Sequence, residues 1–285
     1  MPVTVEPQPE PFLEVHVHRP ADTPGLTGMC AGYESDEYRC DQLAAHLIEW
    51  LPNFALKWTD RQRLQDATAI AFVRRAAKLV YNTDKYKNRG EFGELLLHAV
   101  LRQVFGTIPA ISKLYYKDSA NNTVKGFDCV HVIANTQLEL WIGEVKFYTD
   151  IDAAIRDVVS ELDAHTQRDY LRDEFALIAN KIDDNWPHAE RLRRLLNPNT
   201  SLDLVFDSAC IPVLLTYDSS VVNTHKLCDS AYITAFTDEI TKHHTKFASK
   251  TLPKKVRIHL LLLPLQNKKT LVDCLHRRLE ACQSI

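Results

Sequence analysis

No apolar run in this chain of 285 residues approaches the ~18 that a membrane span needs, and the longest block, residues 258–265, contains a histidine and a proline. The first twelve residues, MPVTVEPQPEPF, lack the basic start and apolar stretch of a secretory signal. Seven cysteines, an odd number, are scattered at 30, 40, 129, 210, 228, 274 and 282 with no CxxC pair. That pattern argues for a reducing cytoplasm and against both a disulfide framework and a zinc site. The glycosylation match at Asn121-Asn122-Thr123 is then a coincidence. Basic excess is missing too: 34 Lys+Arg stand against 37 Asp+Glu, a net charge of -3, which at first speaks against nucleic acid. There is no Gly-x-Ser-x-Gly elbow, no P-loop, no internal repeat and, past the first dozen residues, no low-complexity tract. What remains is ordinary globular composition, 45% hydrophobic and 25% charged. It is enough chain for one large or two small domains burying about three quarters of the unfolded surface. With only eight glycines, each invites a reason.

Alternation predicts a strand over 12–18, followed by a loop holding Pro20, Pro24, Gly25, Gly28 and Gly32. Helical periodicity follows over 38–50 and again over 60–80, with Thr59 as N-cap of the second stretch. Residues 81–90 are polar and turn-rich and form the best internal boundary, giving an N-terminal segment (1–88) packed on a core with a C-terminal extension (89–285). Beyond it the pattern predicts a helix over 91–105 and strands over 111–116, 127–134 and 138–148. Helices follow over 151–165 and 168–182, with buried strand material at 204–206, 211–217 and 256–263. Further helices cover 230–248 and 268–281. The expected fold is α/β (α+β), a central mixed sheet flanked by helices.

The chemistry concentrates in Gly126-Phe127-Asp128 and Gly143-Glu144-Val145-Lys146. Leu138, Leu140, Ile142, Glu144 and Lys146 share one face of a strand, so an apolar row ends in a carboxylate and an ammonium. Asp128 likewise ends the row Val130, Val132, Ala134. A hairpin with a three-residue loop at Asn135-Thr136-Gln137 makes Ala134 face Leu138 and Asp128 face Glu144, with Cβ atoms ~5 Å apart. Two carboxylates on a covered face repel, and a hard divalent cation such as Mg²⁺ between them removes the problem. Lys146 points to the same side and can hold a phosphate or orient a water. On a helical wheel Glu94 borders the core-facing stripe of Leu97, Leu101, Val104 and Phe105, whereas Glu91 is rotated toward solvent or starts the helix. A Glu-x-Lys on a strand is by itself a weak signal, because exposed strands often alternate charges. The apolar remainder of its face, the registered aspartate and Glu94 strengthen it here.

This order of acidic helix, Asp, then Glu-x-Lys resembles the PD-(D/E)XK nuclease superfamily, with a restriction-endonuclease-like core. The resemblance implies that Asp128, Glu144 and the Val145 carbonyl hold a catalytic Mg²⁺, with Mn²⁺ as the alternative ion. It further implies that Glu94 contributes a helix acid to the metal and Lys146 assists the nucleophile. Phe127 stands where the superfamily has proline. Gln167 and Tyr170 are weaker matches to a Gln and Tyr found on the next helix of some members. More narrowly, GEFGELLLHAVL, KLYYKDS, GFDCVHV and LWIGEVKFY, within residues 89–150, resemble the HamA-like nuclease subunits of Hachiman anti-phage defence and the related Abp pair. That resemblance implies a DNase acting on DNA beside a helicase (ATPase) subunit on another chain.

Other residues support blander readings. His243-His244 sits on the polar side of a helix, His131 reads as a satisfied strand histidine, and Cys129 lies on the face opposite Asp128. Lys85, Lys87 and Arg89 form either a solvated turn or a phosphate contact, and Arg191, Arg193 and Arg194 the exposed side of a short helix. The functional expectation is therefore a Mg²⁺-dependent DNase effector, against the alternative of a non-catalytic nuclease-fold subunit that docks a helicase. The near-neutral charge then implies weak unaided affinity for a polyanion and a reliance on the partner.

Overall fold

A computed structural model describes residues 8–80, 90–112, 114 and 126–285. Its strands are β1 (Glu14–Arg19), β2 (Gly25–Cys30), β3 (Tyr33–Glu34), β4 (Glu37–Tyr38), β5 (Ile108–Ser112), β6 (Cys129–Ala134), β7 (Leu138–Phe147), β8 (Ala209–Asp218) and β9 (Arg257–Leu265). The helices are α1 (Cys40–Glu49), α2 (Leu51–Ala55), α3 (Trp58–Arg61), α4 (Ala69–Val80), α5 (Glu91–Phe105) and α6 (Ile151–His165). They continue with α7 (Arg168–Lys181), α8 (Ala189–Leu195), α9 (Leu202–Asp207), α10 (Ser220–Thr224), α11 (Ser230–Ala248) and α12 (Lys268–Ser284).

Seven of these strands form one mixed sheet in the order β1-β2-β9-β8-β7-β6-β5. Its centre is parallel, β2 to β9 to β8 to β7, while β5, β6 and β7 form an antiparallel meander on one side. The central strands β8 (ACIPVLLTYD) and β9 (RIHLLLLPL) are apolar nearly throughout because helices cover both faces of a parallel sheet. The sheet therefore has the expected α/β architecture, and the N-terminal strands β1 and β2 are part of it. Among the described residues no helix is long and apolar enough to cross a membrane.

Three readings of the sequence need correction. The Gly-rich stretch expected as a loop contains β2, whose six residues are all buried between β1 and β9. Residues 204–206 are not strand but part of α9, with Val205 buried and Leu204 60% exposed. Three apolar residues in a row suit a buried strand, yet here the helix turns Leu204 to solvent while Val205 is buried and Phe206 packs partly buried against the core. The helix expected over 60–80 is broken into α3, a 3-10 turn (Asp66–Thr68) and α4. Thr59 lies inside α3 rather than capping the longer stretch, and both its N–H and its hydroxyl donate to Asp183, at 2.7 Å each. The tail of the strand expected over 111–116, the Asn121 match, the 81–89 boundary and the Lys85, Lys87, Arg89 cluster lie outside the described residues, apart from Ile111, Ser112 and Leu114.

Helix α5 is unusual in being buried on all sides: every residue from Glu91 to Arg102 is buried. Glu91 starts it, but away from solvent. One side of α5 packs on β7, where a Cβ at Gly93 would lie 2.9 Å from Phe147 Cβ and 3.3 Å from Val145 Cγ2. Only a glycine allows that approach.

Candidate active site on the central hairpin

The β6–β7 register is the one expected from parity and loop length: Cys129 faces Gly143, Val130 faces Ile142, and Ala134 faces Leu138. Asp128 precedes β6 and folds around the partner strand. Its N–H donates to the Gly143 carbonyl at 2.8 Å, and its Oδ2 accepts from the Val145 N–H at 2.8 Å. The aspartate is thus fixed to the backbone of the residue between Glu144 and Lys146. The approach to it depends on Gly126, at φ +127°, where a Cβ would stand 2.5 Å from Glu174 Oε1 on α7.

Asp128, Glu144 and Lys146 are 7%, 1% and 9% exposed, so the structure gathers two acids and a base where desolvation is costly. Glu144 and Lys146 face α6. His165 Nδ1 lies 2.5 Å from Glu144 Oε1, and the Lys146 ammonium pairs with Glu161. Glu161 and His165 are four residues apart on one side of α6, so the helix presents an acid and an imidazole in register with a base and an acid on the strand. The Tyr170 ring stacks on His165 at 4.5 Å, and Phe127 meets it edge-on at 5.4 Å.

Burial, and behind it the charge of Asp128, raises the Glu144 carboxyl to about 7 against the lowering effect of the His165 hydrogen bond. Burial pulls His165 down. Its bond to Glu144, and the charges of Glu144, Glu161 and Asp128, outweigh this and leave it raised. The short contact couples the titrations of the two groups.

Glu94 is buried in the first turn of α5, the helix covering the opposite face of β7 from α6. It nevertheless acts on the same neighbourhood. Burial raises the Cys129 thiol well above its ordinary value, and the charges of Asp128, Glu144 and Glu94 all add to that rise. Cys129 is on the α5 side, where its Sγ lies 2.7 Å from a Cβ built on Gly143. Tyr170 reaches the site by stacking on His165, whereas Gln167 turns back and donates to the Asp163 carbonyl at 2.9 Å. His131 is a hydrogen-bonded strand histidine, with Thr107 Oγ1 2.7 Å from its Nδ1.

His165 and Glu161 escaped the reading of the sequence. Their one signal was an acid and a histidine four apart on the helix that follows the Glu-x-Lys strand. As a cation site the donor set is chemically consistent: the carboxylate oxygens of Asp128 and Glu144 are the hard ligands Mg²⁺ or Mn²⁺ takes, and Val145 is held to Asp128 through its N–H. The raised Glu144 fits as well, since a buried carboxylate pair without a cation holds a proton instead.

Fold and site together define an α/β protein whose central sheet carries a buried aspartate–glutamate–lysine set at the root of an antiparallel hairpin. The chain belongs to the HamA family, whose model matches residues 6–279. It is also similar to anti-bacteriophage protein A of Escherichia coli (strain K12), at 24% identity over 198 residues that cover 67% of this chain and 35% of that protein. The chain thus spans about a third of that relative's length.

Proposed function

We propose that this HamA-family protein serves anti-phage defence as a divalent-metal-dependent nuclease that cuts DNA in concert with a helicase subunit. The observation that carries the nuclease reading is the burial of Asp128, Glu144 and Lys146 together at the hairpin root, since a purely structural hairpin gains nothing from three desolvated charges. The defence role rests on family membership and on the name of the E. coli relative. The helicase partner rests on the resemblance to Hachiman subunits, with which the near-neutral charge of the chain agrees.

In this mechanism Asp128 and Glu144 would hold the ion, with the Val145 carbonyl as a further ligand, while Glu94 on the α5 side adds negative charge to the neighbourhood rather than a ligand. A bound Mg²⁺ supplies Lewis-acid activation of the phosphodiester. The chain's own groups do the positioning. The Val145 N–H orients the Asp128 carboxylate, His165 orients Glu144, and Glu161 holds the Lys146 ammonium where it can align an attacking water or take up phosphate charge.

The test is degradation of plasmid DNA with Mg²⁺, with Mn²⁺ and with EDTA, using wild type and Glu144→Ala. Metal-dependent cleavage lost in the variant supports the assignment, and equal nicking by both proteins sinks it. No cleavage under any condition, even beside the helicase, would favour a non-catalytic docking subunit.

A further inference from the structure

On the far side of the sheet from the hairpin, three donors that are distant in sequence converge. His16 on β1, Cys30 at the end of β2 and Cys228 just before α11 place their ligand atoms within 4.8 Å of one another. Two donors already aim at the Cys30 sulfur: the Tyr232 hydroxyl at 2.8 Å and the Gly32 N–H at 3.1 Å. Such outer-shell donors stabilise a thiolate and orient it for a metal. His16 Nε2 is buried and makes no hydrogen bond among the described residues; Glu14 Oε2 lies 3.6 Å from it, beyond bonding distance. The charge of Glu14 is also felt by both thiols, which sets a carboxylate beside the cluster.

We propose that His16, Cys30 and Cys228 bind a Zn²⁺ ion, with Glu14 or a water as fourth ligand. Two sulfurs and an imidazole are the donors Zn²⁺ prefers and Mg²⁺ avoids, so this site and the hairpin site take different ions. Zn–S bonds of about 2.3 Å and Zn–N bonds of about 2.0 Å bring the donors closer than 4.8 Å, a contraction that side-chain rotation supplies. Zn²⁺ displaces the thiol protons of the two cysteines, so its binding is favoured by rising pH. The site is structural. It fastens the edge strand β1 and the segment between α10 and α11 onto β2. Two strands, β9 and β8, lie between β2 and β7, which puts the site roughly 14 Å of sheet away from the hairpin. The cysteines form no sequence motif because the topology, not the spacing, assembles them.

The experiment is metal analysis of the full chain, purified with a reductant and Zn²⁺ and then dialysed, followed by Co²⁺ titration of the metal-stripped protein. About one retained Zn²⁺ per chain and a strong sulfur-to-cobalt band in the near ultraviolet are expected. Cys228→Ser, at a half-buried position, should lose the band, while Cys282→Ser on α12 should keep it. His16→Gln should weaken Co²⁺ binding at least about tenfold, the low end of what loss of even an outer-shell partner costs. Absence of Zn²⁺ and of the band in wild type would overturn the proposal. So would an unchanged band in Cys228→Ser, or a Cys30–Cys228 disulfide in the reduced preparation. None of these readings depends on nuclease activity.

Discussion

Lowering the pH from about 7 to about 5.5 should weaken this fold through two histidines far from any surface. His98 Nε2 lies 2.9 Å from Asn53 Oδ1, His98 Nδ1 lies 3.2 Å from His131 Nε2, and His131 Nδ1 lies 2.7 Å from Thr107 Oγ1. Since Asn53 Oδ1 only accepts, His98 must donate from Nε2 and accept at Nδ1. His131 then donates from Nε2 and accepts the Thr107 hydroxyl proton at Nδ1. Each ring is a neutral Nε2–H tautomer, and a second proton on His98 would set two N–H groups face to face. Burial holds both pKa values well below 6.5; the charges of Arg102 and Arg61 add to it at both rings, and protonating His131 would depress His98 further. The sign follows from that depression. Below 6.5 the unfolded chain takes up protons that the folded chain refuses, so stability falls as pH drops through the unfolded value. At full effect each group costs about 1.36 kcal/mol per pH unit, which over this window comes to at most roughly 1–1.5 kcal/mol per histidine and roughly 2–3 kcal/mol for the pair. Urea melts of wild type and of His98→Leu/His131→Leu at both pH values isolate this contribution, because the other titrating groups are common to both. Equal acid sensitivity of the two proteins would refute the reasoning. Nitrogen NMR of wild type gives a second check that does not need the variant to be stable: a ring carrying its proton on Nδ1 would contradict the chain of donors.

Gly93→Ala should cost about 1–3 kcal/mol by forcing α5 away from Phe147 and Val145; an unchanged urea midpoint would show that the helix slides freely. Gly126→Ala, at φ +127° and against Glu174, should cost about 1–3 kcal/mol and also loosen Asp128, so thermal melting and cleavage should fall together. Preserved melting with preserved cleavage would contradict that link. His165→Phe keeps a ring against Tyr170 but removes the partner of Glu144. It should reduce Mg²⁺-dependent cleavage by about 10–100-fold with little change in melting temperature, and an unaltered rate would leave His165 a packing role only.

The hairpin was legible because two independent constraints agreed: side-chain parity along each strand, and a loop of three polar residues that fixes the register. Those constraints placed Asp128 beside the Glu144–Lys146 strand before any coordinates did. β2 was illegible because GLTGMC offers glycine and threonine, the residues of turns, at positions whose burial is imposed by β1 and β9 on either side. The wheel argument for Glu94 assumed that α5 has a solvent face. The helix has none, since α1 and α2 close the side away from the sheet, and burial alone no longer distinguishes Glu94 from Glu91. His165 and Glu161 were hidden for a different reason: their partners belong to another element, and periodicity reports which side of a helix is covered but not by what.

The enclosure of α5 also bears on how the chain is made. Residues 91–105 leave the ribosome before β7, which must cover one of their sides, and β7 ends about 40 residues later, at Phe147. At ribosomal speeds of about 5–20 residues per second that interval is roughly 2–8 s. Early in it a helix with Phe92, Leu95, Leu96, Leu97, Val100 and Leu101 on its flanks has the N-terminal helices to shelter against, with β5 and β6 following before β7 is complete. The early helices thus act as a temporary cradle for the segment that later backs the acidic hairpin. Shortening them should show first as poor yield of newly made protein, before any loss of stability in the molecules that finish folding.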